Sequence, residues 1–417
     1  MKTDVSMGQP IATEEQAALT VDGVVPARLV APGDAEDAAQ SLRACDQAGS
    51  AVVIWGGGTQ IGIGCPPARY EVAFSTQQMR RLLEYEPADL TCGVEAGMPL
   101  LELNRTLLAQ GQRLPLEPPH PERATVGGML AANSNGLSRA RYGTVRDWVI
   151  GIAVAYPSGK LARAGGKVVK NVAGYDLMKL HIGALGTLGL IAEVNFKVQT
   201  RPETQSSVFG HFDSPQPAVL AGMQLARQYL APAAAIVLDR RTLWQCGLTA
   251  DWRWTLALKL EGYRREAEVA SERAAATIRE AGGRVEAPDS PPGFWDAARD
   301  WPAPDDKTSV VLRAFVPLAQ TASLLDAVGS EAQVMVQPAS GQIDLRVAAS
   351  GAVATLVRLR RAAGEQGQVV VISAPATVKQ FLDVWGPPPP GFAVMRALKQ
   401  ALDPNGILNP GRFVGGI

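Results

Sequence analysis

Residues 51–64 read Ala-Val-Val-Ile-Trp-Gly-Gly-Gly-Thr-Gln-Ile-Gly-Ile-Gly. The first five form a continuous apolar run of the length of one buried strand. The run empties into a loop with five glycines. Glycine bares main-chain N–H groups and tolerates positive φ, so a strand that ends in such a loop outlines a phosphate-binding arrangement. Before it, 33–49 predicts one helix. Asp34, Glu36 and Asp37 fall in its first turn, where they favour the positive end of the helix dipole, and Gly49 stands where a left-handed cap belongs. After it, strands are predicted at 70–74, 90–95 and 149–156 and a helix at 98–111. The stretch 112–147 is rich in Pro, Gly and Asn and reads as loops around one short helix near 128–132. A second glycine-rich zone covers 165–189, and a strand at 190–200 closes a first domain.

Beyond residue 204 the texture changes. Strands are predicted at 207–212, 234–239, 254–261, 308–316, 333–337, 342–348 and 368–373, with helices at 216–230, 264–281, 318–328 and 353–364. This pattern reads as an α+β domain built on an antiparallel sheet. A Pro-rich link at 386–391 leads to a last helix at 393–402 and the turn Asp403-Pro404-Asn405-Gly406. Two domains also suit a chain of 417 residues.

Forty Lys and Arg balance forty Asp and Glu, so neither a basic nucleic-acid-binding protein nor a polyanionic tail is expected. The four cysteines, Cys45, Cys65, Cys92 and Cys246, form no C-x-x-C pair. They argue against an iron–sulfur cluster or zinc ribbon in this chain and read as reduced thiols of a cytoplasmic protein. His120, His181 and His211 are not spaced for a metal, and no metal is expected. The first residues lack an apolar signal-peptide core. The longest uncharged apolar stretch, 180–192, is too short to span a bilayer and holds three glycines. No transmembrane segment is expected, and peripheral association at the inner membrane through partners stays open.

Three segments carry exposed-backbone character: 56–64, 125–136 and 183–189. Neither Gly-Lys pair is followed by Ser or Thr, which excludes a P-loop. Ile61 breaks the G-x-G-x-x-G pattern of the Rossmann turn. Close approach of a ligand is the requirement read for these glycines.

These residues carry a resemblance. Segments 55–64, Thr125-Val126-Gly127-Gly128 with 131–136, Arg141-Tyr142-Gly143, 169–174 and 183–189 resemble an FAD-binding domain of the vanillyl-alcohol oxidase, or PCMH, type. The run KVVKNVAGYDLMKLHIGALGTLGLI at 167–191 and the ending LDPNGILNPGRF at 402–413 are similar to those of the FAD-binding subunits of bacterial glycolate oxidases. The resemblance implies a PCMH-type FAD-binding domain at 1–204, an α+β cap-like domain at 205–392 and a segment, 393–417, that returns to the flavin domain. It implies that N–H groups of Gly56, Gly57, Gly58, Thr59, Gln60 and Gly62 hold the pyrophosphate of FAD. Thr125, Gly127, Gly128, Ala132 and Ser134 would line the other side of the diphosphate and the flavin. Gly186, Leu188, Gly189 and Ile191 would follow the adenosine and flavin edge, and Asn409 would approach the isoalloxazine. Thr59-Gln60 occupies the place where some related oxidases carry a linking histidine, so FAD is expected to be non-covalent. Lys170 and Asn171 fall in the same constellation as a candidate cation and its neighbour, with a solvent-facing position as the alternative for Lys170.

The related 2-hydroxy-acid dehydrogenases carry H-x-G-D-G-N-x-H in the second domain. The similar stretch here, Gln337-Pro338-Ala339-Ser340-Gly341-Gln342-Ile343-Asp344, keeps the glycine and lacks both histidines. Glutamine cannot serve as a base. The resemblance therefore implies an FAD-binding subunit that relays electrons or supports assembly, while a larger flavin subunit and an iron–sulfur subunit complete a complex oxidising a small 2-hydroxy acid such as glycolate. No catalytic residue is assigned. Two rivals stand: a self-sufficient FAD-dependent 2-hydroxy-acid dehydrogenase with an unfamiliar base such as His120, otherwise a surface-loop histidine, and a flavin-free scaffold.

Overall fold

The computed structural model describes residues 8–167, 176–229, 231–286, 290–304 and 308–417. The chain divides into two compact units, Met1–Ser134 with Thr144–Thr200 and Pro387–Ile417, and Asn135–Gly143 with Arg201–Gly386. These boundaries differ from those read in the sequence. Asn135–Gly143 groups with the second unit because Leu137 is buried there among Phe209, Ile236 and Met335. The second unit ends at Gly386, before the prolines and not after them.

Among the described residues the first unit holds two larger sheets and a two-stranded pair, Gln112–Arg113 with Gln199–Thr200. In the smaller, Gln9–Pro10, Arg28–Val30, Val72–Ser75 and Val52–Trp55 lie side by side in that order, and the last three run parallel. In the larger, Leu82–Glu86, Thr91–Glu95, Leu190–Lys197, Val149–Ala155 and Leu161–Gly165 form an antiparallel meander-like sheet in that order. Helix Ala35–Gln47 contributes Ala38, Leu42 and Cys45 to one core shared with Val52, Phe74, Leu190, Ala192 and Leu408. Its first turn is held by Asp34, whose side chain accepts from the Asp37 N–H at 2.9 Å. The C-terminal segment joins this core: Val52 N–H donates to Ile407 at 2.8 Å, and Asn409 N–H donates to Val52 at 2.8 Å.

The second unit is one eight-stranded antiparallel sheet. Its order is Arg284–Glu286, Thr204–Phe212, Trp254–Gly262, Ala234–Asp239, Gln333–Gln337, Gln342–Ala348, Ser309–Phe315 and Gln368–Ser373. Helices Pro215–Ala226, Arg264–Glu280 and Ala352–Ala363 pack against it. The antiparallel sheet read from the sequence is there. The strands missed are mostly edges. Leu82–Glu86 (LLEYE) and Leu161–Gly165 (LARAG) are half exposed, so their apolar content never reaches the level that marks a buried strand.

Candidate functional site

Strand Val52–Trp55 delivers the glycine loop to a cleft of the first unit that holds about 850 Å³ of atom-free space, its mouth included. The loop folds back through two turns, Ile61 N–H to Gly58 O at 3.3 Å and Ile63 N–H to Gln60 O at 3.0 Å. Among the described residues, the N–H groups of Gly56, Gly57, Gly58, Thr59 and Gln60 find no acceptor in the chain. Five successive donors along one lip of a cleft form an anion-binding concavity, because each amide carries a partial positive charge that nothing internal neutralises.

The facing wall differs from expectation. Thr125, Gly127, Gly128 and Ala132 line the cleft. Thr125 caps helix Val126–Ala131, its Oγ1 accepting from Gly128 N–H at 3.2 Å, while Val126 N–H donates to Met98 O at 2.9 Å and Gly127 N–H to Ala96 O at 2.7 Å. This wall therefore offers carbon surface, and the donors stand on the loop opposite. The third segment brings Leu185, Gly186, Gly189 and Ile191. Leu185 N–H donates to Ala131 O at 2.9 Å, which ties the second and third segments together.

The C-terminal segment staples the constellation. Asn409, at φ 44°, accepts from Ile54 N–H at 3.1 Å through Oδ1 and donates through Nδ2 to Leu185 O at 2.9 Å. Arg412 is 3% exposed. Its Nη2 donates to Ile63 O at 2.6 Å and to Ile61 O, at the exit of the glycine loop. Burial pulls the guanidinium below its ordinary pKa. Among the described residues, Arg412 is the one charged side chain lining the cleft.

Most of the glycines are required by the protein's own packing. A Cβ on Gly57 would lie 1.7 Å from Arg123 O, one on Gly56 2.2 Å from Thr125 Oγ1, and one on Gly127 2.7 Å from Ala96 Cβ. Gly128 is the exception, since a Cβ there meets only Thr125 Oγ1 at 3.0 Å. Close ligand approach is thus not the general reason for these glycines, as the sequence had suggested. They let three backbone segments lie against one another.

Thirteen of the sixteen residues expected at the cofactor line the cleft. Gly62, Ser134 and Leu188 do not. Ser134 Oγ accepts from Gln60 Nε2 at 2.6 Å and so steadies the loop from behind. Leu188 lines a separate apolar groove with Met395, Leu398 and Phe413. Lys170, Asn171 and the segment 169–174 lie outside the described residues. His120 adopts φ 54° in a turn whose carbonyl accepts from Arg123 and Ala124, and it does not line the cleft. Arg412, Ile61 and Ile63 were missed. The signal for Arg412 was its place three residues after Asn409 in the same short ending.

In the second unit, 337–344 forms a hairpin between Gln333–Gln337 and Gln342–Ala348, turned at Gly341 with φ 67°. Asp344 is fully buried. Arg313 Nε donates to its Oδ1 at 2.6 Å and Gln342 Nε2 to its Oδ2 at 2.7 Å. Gln342 and Asp344 are thereby engaged with protein, and Ser340 Oγ donates to Gln337 O at 3.3 Å. Among the described residues no group of three or more His, Cys, Asp or Glu is placed to hold a metal.

Comparison with known proteins identifies two matching domain families. Residues 26–165 match the FAD binding domain, and residues 387–413 match the C-terminal domain of FAD linked oxidases. The chain is 31% identical over 219 residues to glycolate oxidase subunit GlcD of Bacillus subtilis, covering 52% of this chain and 47% of that one. It is 43% identical over 130 residues to glycolate oxidase subunit GlcE of Escherichia coli, covering 31% and 37%. It is 33% identical over 183 residues to D-2-hydroxyglutarate dehydrogenase of Xanthomonas citri, covering 44% and 39%. The matched stretches thus span less than half of each of these relatives. Among solved structures, p-cresol methylhydroxylase shares the fold at a TM-score of 0.72 and 16% identity, over 97% of this chain and 93% of that one.

Proposed function

On the premise that this chain carries the FAD binding domain of the FAD-linked oxidoreductases at 26–165, we propose that it binds FAD non-covalently in the cleft of its first unit and serves the oxidation of a small 2-hydroxy acid. One observation carries the reading: five consecutive amides, Gly56 to Gln60, line the cleft and have no acceptor among the described residues. A diphosphate supplies the negative oxygens those donors need. Gly128, exposed and with Thr125 Oγ1 alone near the place of a Cβ, lets a ligand approach the opposite wall, and Gly186, Gly189, Ile191 and Asn409 bound the rest of the cleft. Among the described residues no His, Cys or Tyr lines the cleft, which supports non-covalent retention. When bound, FAD supplies the two-electron acceptor, and the chain's own work is to hold and orient it.

Glycolate is the favoured substrate class, because relatives of this chain bear the name of glycolate oxidase subunits. The proposed assembly contains a larger flavin subunit that takes the substrate proton and an iron–sulfur subunit that carries electrons onward. The engagement of Gln342 and Asp344 with each other and with Arg313 supports a chain that is not itself the proton acceptor. We place the complex in the cytoplasm, at the inner membrane through partners. Among the described residues no helix is long and apolar enough to cross a membrane. A second reading, a self-sufficient dehydrogenase, draws on the likeness to D-2-hydroxyglutarate dehydrogenase. Anaerobic mixing of the purified chain with glycolate or D-lactate separates the two. Flavin absorbance that persists alone and bleaches only with the partner subunits supports the complex; bleaching by the lone chain supports the second reading and refutes the first.

A further inference from the structure

The glycine loop rests on an aromatic ring that lies outside the cleft. Trp55 ends strand Val52–Trp55, is buried, and is not among the residues that line the cleft. The chain then doubles back over its own indole. Gly58 takes φ 72°, and a Cβ built on it would lie 3.0 Å from Cζ3 and 3.5 Å from Cε3 of Trp55. Gly58 thus stands with its Cα against the six-membered ring, while its N–H and those of Thr59 and Gln60 find no acceptor among the described residues. The turn from Ile61 N–H to Gly58 O closes just beyond that contact.

The ring is pinned at its other end. Trp55 Nε1 donates to Tyr70 Oη at 2.6 Å, and Tyr70 Oη donates on to Leu19 O at 2.9 Å. Tyr70 is buried, and burial raises its pKa, so the phenol keeps the proton it donates. Ile11, Val21, Val53 and Ala73 surround the pair, and Ile61 of the loop packs against them. The main chain is held as well, since Trp55 O accepts from Thr76 N–H at 2.8 Å. A buried indole with its N–H engaged and its faces packed has one orientation open to it. The loop above it needs such a support. A run of glycines is the most freely moving kind of chain, and adjacent amide dipoles that converge without an anion repel one another. A floor that keeps the run in its binding shape removes that ordering cost from ligand binding.

We propose that Trp55 is a positioning residue of the diphosphate site: its indole, locked by Tyr70, holds Gly58 to Gln60 in the conformation that presents their N–H groups to the cleft. The inference rests on the flavin reading of that cleft and adds to it two residues that touch no ligand. It also sets Trp55 apart from a residue that merely stabilises the first unit. General loosening of the unit weakens every ligand of the cleft alike. Loss of the floor weakens ligands that carry a diphosphate and spares a ligand without one.

The test titrates the whole chain, freed of FAD, with three probes: FAD, ADP, which carries a diphosphate and no isoalloxazine, and riboflavin, which carries an isoalloxazine and no phosphate. Flavin fluorescence reads FAD and riboflavin, and calorimetry reads ADP. In Trp55→Leu the affinities for FAD and ADP should fall together by about 10- to 100-fold, with riboflavin affinity unchanged. Trp55→Phe keeps a six-membered ring without the N–H, and Tyr70→Phe removes the acceptor that fixes the indole. Each should show part of the same paired loss, and they decide the matter if the Leu variant does not fold. FAD and ADP affinities equal to wild type in the variants that fold, a loss for FAD without one for ADP, or a parallel loss for riboflavin overturns the proposal. A wild-type chain that binds neither FAD nor ADP overturns the flavin reading and this inference with it, whereas a yellow wild type whose variants match it overturns only the role of Trp55.

Discussion

A pair of glycine substitutions distinguishes two reasons for glycine in the cleft. In Gly57→Ala the new methyl would sit 1.7 Å from the carbonyl oxygen of Arg123. Carbon and oxygen need at least about 3 Å, so one of two backbone segments must move by more than 1 Å. Overpacking of this kind costs about 1–3 kcal/mol and here falls on main chain, so the upper end is expected. In Gly128→Ala the methyl meets only Thr125 Oγ1, at 3.0 Å, and projects into the cleft. Within helix Val126–Ala131 the exchange of Gly for Ala is itself favourable by up to about 1 kcal/mol. The assay is denaturant unfolding of both apoproteins, followed by titration with FAD monitored by flavin fluorescence. Gly57→Ala should lose about 3 kcal/mol of stability before any cofactor is added. Gly128→Ala should match or exceed the wild-type apoprotein and bind FAD more weakly. A Gly57→Ala apoprotein as stable as wild type, with only FAD affinity lost, would show that the loop meets ligand and not Arg123, and the packing argument would be wrong.

Other consequences follow from the same contacts. Arg412→Met removes two charged hydrogen bonds from the exit of the glycine loop, so FAD affinity should fall by about 3 kcal/mol, near 150-fold, in a fluorescence titration; an unchanged dissociation constant would exclude this clamp. Lys399, its side chain 13% exposed, bonds Thr187 O and Leu408 O, each at 2.9 Å, and the buried Asp403 at 2.6 Å, and its replacement by Met should cost about 3 kcal/mol of stability, visible as a lower unfolding midpoint. His181, bonded to Tyr156 at 3.0 Å, is held neutral by burial with its pKa lowered to about 4. The unfolded chain takes up a proton below about pH 6.5 that the folded chain refuses until about pH 4. Stability should therefore decline through that window as pH falls, by about 2 kcal/mol at pH 5 from this group. His181→Phe should show a correspondingly shallower decline between pH 7 and 5, and an identical decline would remove His181 as a cause.

The sequence was most legible where one interaction dominates. The apolar run 51–55 and the strand read at 149–156 are buried on both faces, so composition alone identified them. The antiparallel sheet of the second unit was visible for the same reason. The site was legible as a set of segments and illegible in its reasons. Gly57 and Gly127 look alike in sequence to Gly128, yet the first two answer to Arg123 and Ala96, neighbours that only tertiary contact supplies. Arg412 escaped notice because its partners, Ile61 and Ile63, are some 350 residues away and are backbone carbonyls, which leave no mark in side-chain chemistry. The pairing of Arg139 with Gln342 was hidden likewise: segment Asn135–Gly143 sits in a stretch of first-unit sequence and folds with the second unit.

The measurement that bears most directly on the whole account is the flavin content of the purified chain after reconstitution. The five amides of Gly56 to Gln60 predict a yellow protein that releases close to one FAD per chain on acid treatment, and an apoprotein that takes it back. A correctly folded chain that stays colourless in excess FAD would contradict the assignment of the cleft.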